Sequence, residues 1–328
     1  MRLLTVVIVA LGALWGGYWF VGARALDRAV TAGLGDLSAQ GVGAVFSDVV
    51  VNGFPNRFDL TISDIALTDP RSGIGWSAPF VQALALSYKP YHIIAVWPDS
   101  QTVTTRDQTV TLTSSGMRGS VVFQPDTALP LDRTSIIIDA GELASDAGWR
   151  AGFAQARFAT ERSDDGNRQH HLGLELTDLR LDPALKDVLD PDGTLPAAIA
   201  RLHLDAQLGF DRPLDRFAAS DSGPQLTDIA LTDARMVWGE AVASADGALT
   251  FDAAGRPSGD ITIRLTQWRQ ILPFIFVLLQ VDQQQEPLVV LAMEALEGMS
   301  ENPEQLEVPL KVTDGIVTLG GIPVWQVP

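Results

Sequence analysis

Hydrophobic and polar residues alternate in three distinct ways along the chain. From Leu3 to Ala23 there is no charged residue. As a helix this stretch would measure roughly 31 Å, close to the ~30 Å hydrocarbon core of a bilayer. Trp15, Tyr18 and Trp19 gather toward its C-terminal end, where an aromatic belt belongs. A cleaved signal peptide is the rival reading, but its apolar region is only about 7–15 residues long. Arg24 and Arg28 also follow the Ala23-Arg24-Ala25 site closely. The pattern therefore predicts an uncleaved transmembrane anchor over residues 1–23. A juxtamembrane helix and linker follow over residues 24–42, with Ala25 to Leu37 amphipathic and Gly33, Gly35, Gly41 and Gly43 loosening the exit. Arg2 precedes the span, and Arg24 and Arg28 follow it, so charge counting alone does not orient it. The signal-like start and the acidic bulk of the chain favour an inner N-terminus with the remainder outside.

Beyond Gly43 the period changes to two. Leu202, Leu204, Ala206, Leu208 and Phe210 alternate with Arg201, His203, Asp205, Gln207 and Gly209. Ile261, Ile263 and Leu265 repeat the pattern, as do Phe58, Leu60 and Ile62, and Leu172, Leu174 and Leu176. One dry and one wet face per strand predict antiparallel pairing. A short motif also recurs: apolar, Ser/Thr, Asp, apolar, any, apolar. It occurs at Phe46–Val51, Ile62–Leu67, Leu176–Leu181 and Leu226–Leu231. The step of three across Ser/Thr-Asp breaks the alternation, so the strand must switch face there through a bulge or tight turn. Asp64–Asp69 and Asp228–Asp233 agree further, each followed by a tryptophan, Trp76 and Trp238. Two related halves, 43–185 and 197–328, are expected, joined where Pro183, Pro191, Gly193 and Pro196 cluster.

Gln267 to Val281 interrupts the strands with an almost wholly apolar helical stretch containing Pro273, too short to span a membrane. Pro287 opens a second helix, Leu288 to Met299. The expected fold is mainly β (α+β). A transmembrane helix leads into a large curved antiparallel sheet over residues 43–328, with a C-terminal helical hairpin against one face.

Composition narrows the function. The net charge of −17 leaves little surface for phosphates, which excludes nucleic acid as a partner. With no cysteine, disulfides, thiolate metal sites and cysteine nucleophiles are excluded. Nucleotide-binding loops, the nucleophile elbow, HExxH and EF-hand patterns are absent. His170 and His171 sit in what reads as a solvated hairpin turn, and neighbours on a strand cannot ligate jointly. His203 falls on a polar strand face, and His92 is expected to be partly buried and hydrogen-bonded. No carboxylate pair stands out, so neither catalytic residues nor a cofactor is assigned, and binding outranks catalysis.

One block is distinctive: Gly53-Phe54-Pro55-Asn56-Arg57-Phe58-Asp59-Leu60. Its local physics predicts a turn at Gly53 and Pro55, Phe54 packing as an anchor, and Arg57 paired with Asp59 on the polar face of the next strand. The block resembles the signature of the DUF2125 family of alphaproteobacteria. The likeness continues through Asp69-Pro70, Trp76-Ser77-Ala78-Pro79, Ser87-Tyr88-Lys89-Pro90, the Phe210–Arg216 stretch, Asp314-Gly315 and Leu319–Pro323. It carries no established activity or catalytic residues. More loosely, the repeated Asp-containing strands resemble AsmA-like envelope proteins, which implies an inner-membrane anchor, a long curved sheet and a part in lipid homeostasis.

The sequence thus leads to a single-pass protein of the bacterial inner membrane with its bulk in the periplasm. Its amphipathic sheet is expected to offer a groove to phospholipid, capped by the helical hairpin, with Phe274, Phe276 and Leu278 as candidate lipid contacts. The alternative is a non-catalytic scaffold for envelope protein partners, its apolar faces closed into a packed core.

Overall fold

Helix α1 runs unbroken over Arg2–Ala39. The glycines expected to loosen the exit, Gly33 and Gly35, lie inside it. Each glycine costs about 1 kcal/mol against alanine, and burial of one stripe offsets this. Trp19, Ala23, Leu26, Val30, Leu34 and Leu37 recur three or four residues apart and are buried or half-buried. The apolar segment and the amphipathic segment are therefore one rod: Arg2–Leu14 is exposed throughout, and residues 15–37 are packed along one face. The computed structural model describes residues 2–39, 41–163, 166, 168–218, 223–278, 281, 284–299, 305–319 and 322–326.

The chain forms two compact units. The first comprises Met1–Pro125 and Thr134–Trp149, the second Asp126–Arg133 and Arg150–Pro328. This division falls earlier than residues 183–197, where composition placed a join; that segment lies inside the second unit.

In the first unit, β1 (Gly43–Val45) and β2 (Asp48–Asn52) pair along one edge of β3 (Arg57–Asp69), and β4 (Ile74–Leu86) pairs along the other. The free edge of β4 has two partners. Gln82–Leu86 bonds β5 (Lys89–Trp97), and Gly75–Ser77 bonds β6 (Ser100–Thr104). Pro79, which has no N–H for a ladder, sits where the partners change. Trp76 Nε1 donates to Gln101 Oε1 at 3.1 Å, and Ser77 bonds Thr102, closing the corner from the β6 side. β7 (Thr109–Thr113) continues from β6 and meets β9 (Leu131–Ser145), while β8 (Gly116–Phe123) pairs with β5.

The repeated Ser/Thr-Asp step has the geometry its pattern requires in two copies. Asp64 and Asp178 take φ of 50° and 51° in mid-strand, a left-handed conformation that Asp tolerates better than most residues. Asp48 and Asp228 do not. At Asp228 the irregularity is a register shift opposite Gly209 and Phe210. Hydroxyl and carboxylate also pair directly: Ser47 Oγ with Asp64 at 2.8 Å, and Thr227 Oγ1 with Asp228 at 2.7 Å.

In the second unit each strand pairs antiparallel with the next: β10 (Arg150–Arg162), β11 (Gln169–Arg180), β12 (Ala198–Phe210), β13 (Leu226–Trp238), β14 (Ala241–Phe251), β15 (Pro257–Thr266), β16 (Gln305–Thr313), β17 (Ile316–Leu319) and β18 (Ile322–Gln326). Helices α2 (Pro183–Leu189), α3 (Trp268–Leu278) and α4 (Glu286–Met299) share one core with this sheet. Trp238, Ile199, Leu265, Trp268, Ile271, Met293 and Leu306 are all buried there. The α3–α4 hairpin is the predicted one, latched by Arg269 to Glu297 at 2.7 Å and to Glu294 at 3.9 Å. His170, expected in a solvated turn, is instead 1% exposed on β11 beside the Phe210 ring. Its neighbour His171 faces out and meets Asp205 at 2.7 Å.

A buried carboxylate closes the turn after α2. Asp190, 3% exposed, takes Lys186 Nζ at 2.8 Å and the N–H groups of Thr194 and Leu195, each at 3.0 Å. Burial pushes its pKa up, but Lys186 and the two amides outweigh burial and hold it below the ordinary carboxylate value. A depressed folded-state pKa means the stabilisation is present above the unfolded value near 4 and is lost as pH falls through the folded one. Asp190→Asn should cost about 2–3 kcal/mol at pH 7. The gap between variant and parent should narrow steadily below about pH 4. Denaturant titrations at pH 7 and pH 3 check both points, and equal stability at pH 7 would exclude this role.

Candidate functional site

Those predicted site residues of the first unit that belong to the Gly53–Asp59 block gather beside α1. Gly53–Asn56 forms the turn between β2 and β3, with the Arg57 N–H donating to Gly53 O at 2.9 Å. Gly53 has φ +97°, and a Cβ there would stand 2.8 Å from Arg57 Cβ and 2.9 Å from its carbonyl, so only glycine makes this turn. The Ser87–Pro90 turn lies beside it: Ser87 is fully buried, its N–H donating to Asn56 O at 2.9 Å. Arg57 and Asp59 pair at 3.0 Å as their spacing predicts, an exposed contact of small energetic weight.

Against these two turns lies the aromatic end of the α1 span. Trp19 Nε1 donates to Arg57 O at 2.6 Å, Tyr18 OH to Ser87 O at 2.7 Å, and Trp15 Nε1 to Asn56 Oδ1 at 3.2 Å. The Trp19 ring stacks on Phe58 with centroids 6.1 Å apart and meets Phe54 edge-on at 5.4 Å. Phe20 packs on Phe54 at 5.5 Å. Gly22 admits this approach, since a Cβ there would come within 2.7 Å of Phe58 Cζ. Trp19, Ala23 and Phe58 are buried together, with Leu26 and Val51 against them. The signature block is thus the socket of the helix. Its partners lie about forty residues away in sequence, and the pairing had no local signal beyond two aromatic clusters.

Trp76 and Pro79 belong instead to the β4 corner. A shallow depression of ≈ 390 Å³ lies there, lined by Asp64–Ala66, Ser77–Pro79 and Ser100–Thr102. Tyr88 is exposed, and so is Pro90, both in the turn beside the socket. Phe274 and Phe276 are half-buried and pack on the core of the second unit; the side chain of Leu278 lies outside the described residues. Among the described residues no three His, Asp or Glu side chains are grouped to hold a metal.

The register reveals a feature the sequence did not rank. Val51, Leu60, Ala83, Ala95 and Gly119 lie opposite one another across β2, β3, β4, β5 and β8, and Phe58, Ala85, Ile93 and Val121 form the adjacent row. All nine are on one face. Phe58, Leu60 and Gly119 are buried; the others are half-buried. Where the second unit closes its apolar face under three helices, this face meets α1 at the β1–β2 edge.

These features define an antiparallel β protein with an N-terminal helix long and apolar enough to cross a membrane, seated in an aromatic socket. The chain belongs to the DUF2125 family, described as an uncharacterized protein conserved in bacteria, whose profile matches residues 19–328 and so begins at Trp19 itself. No curated protein matches the chain.

Proposed function

We propose that this is a single-pass inner-membrane protein with its β units in the periplasm, and that the first unit holds phospholipid acyl chains against its apolar sheet face. The observation that carries this reading is the in-register apolar face of β2, β3, β4, β5 and β8. It is rich in small residues, only partly covered, and continuous at one end with α1. The alanines leave room for an acyl chain where a packed core would set large side chains, and partly exposed apolar side chains gathered on one face suit an apolar ligand. The looser likeness to AsmA-like proteins agrees with a lipid role, and the acidic, motif-poor composition agrees with binding rather than catalysis.

Site-specific photocrosslinking in living cells tests it. A benzophenone amino acid at Ala83 or Ile93 should capture phospholipid, while one at Thr61, on the opposite strand face against Gln82, should not. Capture of a protein in place of lipid at Ala83 and Ile93 would overturn the lipid reading and favour the scaffold.

A further inference from the structure

We infer that the two turns of the socket, residues 53–56 and 87–90, are embedded in the interface of the phospholipid bilayer that α1 crosses, so that the first unit is itself a membrane-surface element. The inference rests on the reading of α1 as a transmembrane anchor. It follows from a shortage of bare helix. Between the charged residues Arg2 and Arg24, the exposed part of the apolar run, Leu3–Leu14, would measure roughly 18 Å, against ~30 Å of hydrocarbon. Tilting the helix only widens the gap. The missing length lies in Trp15–Ala23, which is the segment seated in the socket. The charged residue that ends the span, Arg24, comes about 6–12 Å beyond the helix residues that face Phe54, namely Gly16, Trp19 and Phe20. Phe54 is therefore carried to the depth at which aromatic belts and interfacial helices sit.

The side chains on this end suit that depth. Phe54 is 56% exposed and Tyr88 57%, with Phe20 and Tyr18 open beside them. In water this would be a costly cluster; at the headgroup boundary, aromatic rings with polar tips are favoured. Lys89, exposed in the same turn, can direct its ammonium to lipid phosphates while its stem stays in the apolar zone. The occupant is thus the bilayer interface, fixed by the chain's own anchor.

The protein contains no cysteine, so single cysteines carrying an environment-sensitive fluorophore can be placed in the full chain reconstituted in phosphatidylethanolamine–phosphatidylglycerol nanodiscs. Nitroxide-bearing lipids then report depth. Leu11→Cys should lose most of its emission to deep nitroxides, and Phe54→Cys and Tyr88→Cys to shallow ones. Ser72→Cys, past the far end of β3 and about 40 Å along that strand, should respond only to a water-soluble quencher. Pro90→Cys, outside the ring stack, replaces Phe54→Cys should the latter disturb the socket. Quenched Leu11→Cys with Tyr88→Cys and Pro90→Cys behaving like Ser72→Cys would overturn the embedding and leave the anchor standing. An unquenched Leu11→Cys would overturn the anchor, and the embedding with it.

Discussion

Trp19→Ala is expected to release α1 from the sheet of the first unit. Trp19 is 6% exposed, stacked on Phe58, edge-on to Phe54 and Phe20, and bonded through its indole N–H to the Arg57 carbonyl. Truncating a buried tryptophan costs about 3–5 kcal/mol, part of it from leaving the Arg57 carbonyl without its donor. Because that energy holds the helix to the sheet, the loss should appear as local opening while the β sheet itself survives. Hydrogen exchange in nanodiscs should quicken by roughly 10²–10³-fold in peptides covering residues 53–60, at about 1.4 kcal/mol per decade. Trp19→Phe keeps ring contact and loses the N–H donor, so it should fall between the two. Unchanged exchange at residues 53–60 in Trp19→Ala would show that the socket does not hold the helix.

The sequence made the elements of this socket legible but not their union. The uncharged run Leu3–Ala23, the aromatic cluster at its end and the Gly53–Phe58 turn each followed from local rules of length, amphipathicity and turn chemistry. Aromatic residues at a membrane boundary have an obvious partner in lipid headgroups, and nothing in the spacing says that three of them also donate hydrogen bonds to two distant turns. The same limit explains α1. Glycines argue for a break, and what overrides them is tertiary packing of a stripe whose partner strands come later in the chain.

Face assignments were legible where alternation was strict and failed where burial depends on what lies above a strand. Phe58 and Leu60 were read as inward, as found, whereas His170 was placed in a turn because polar residues precede it, and it is buried beside Phe210. The repeated Ser/Thr-Asp step announced a face switch, and Asp64 and Asp178 supply it by a left-handed φ; no local feature distinguishes them from Asp48 and Asp228. Periodicity also could not separate a covered apolar face from an open one. β12 and β15 alternate as cleanly as the Phe58–Ile62 part of β3, yet only register and the placement of α2, α3 and α4 show which faces are closed.

That closure makes Trp238 the side chain whose loss should cost the second unit most. It is 1% exposed at the end of β13, in a core with Ile199, Met236, Ala241 and Ile271, and its indole N–H donates to the Pro196 carbonyl at 2.8 Å. Pro196 precedes β12, so this one residue ties the connection after α2 to the β13–β14 hairpin. Trp238→Ala should destabilise the second unit by about 3–5 kcal/mol through the cavity left in a densely packed interior. Trp238→Phe should cost about 1–3 kcal/mol, chiefly through the orphaned carbonyl. Denaturant unfolding followed by hydrogen exchange separates the units: peptides from β12 to β15 should lose protection in Trp238→Ala, while those from β3 and β4 keep theirs. If both sets lost protection equally, the units would unfold as one cooperative body. If neither did, the tryptophan would not be the keystone of this core.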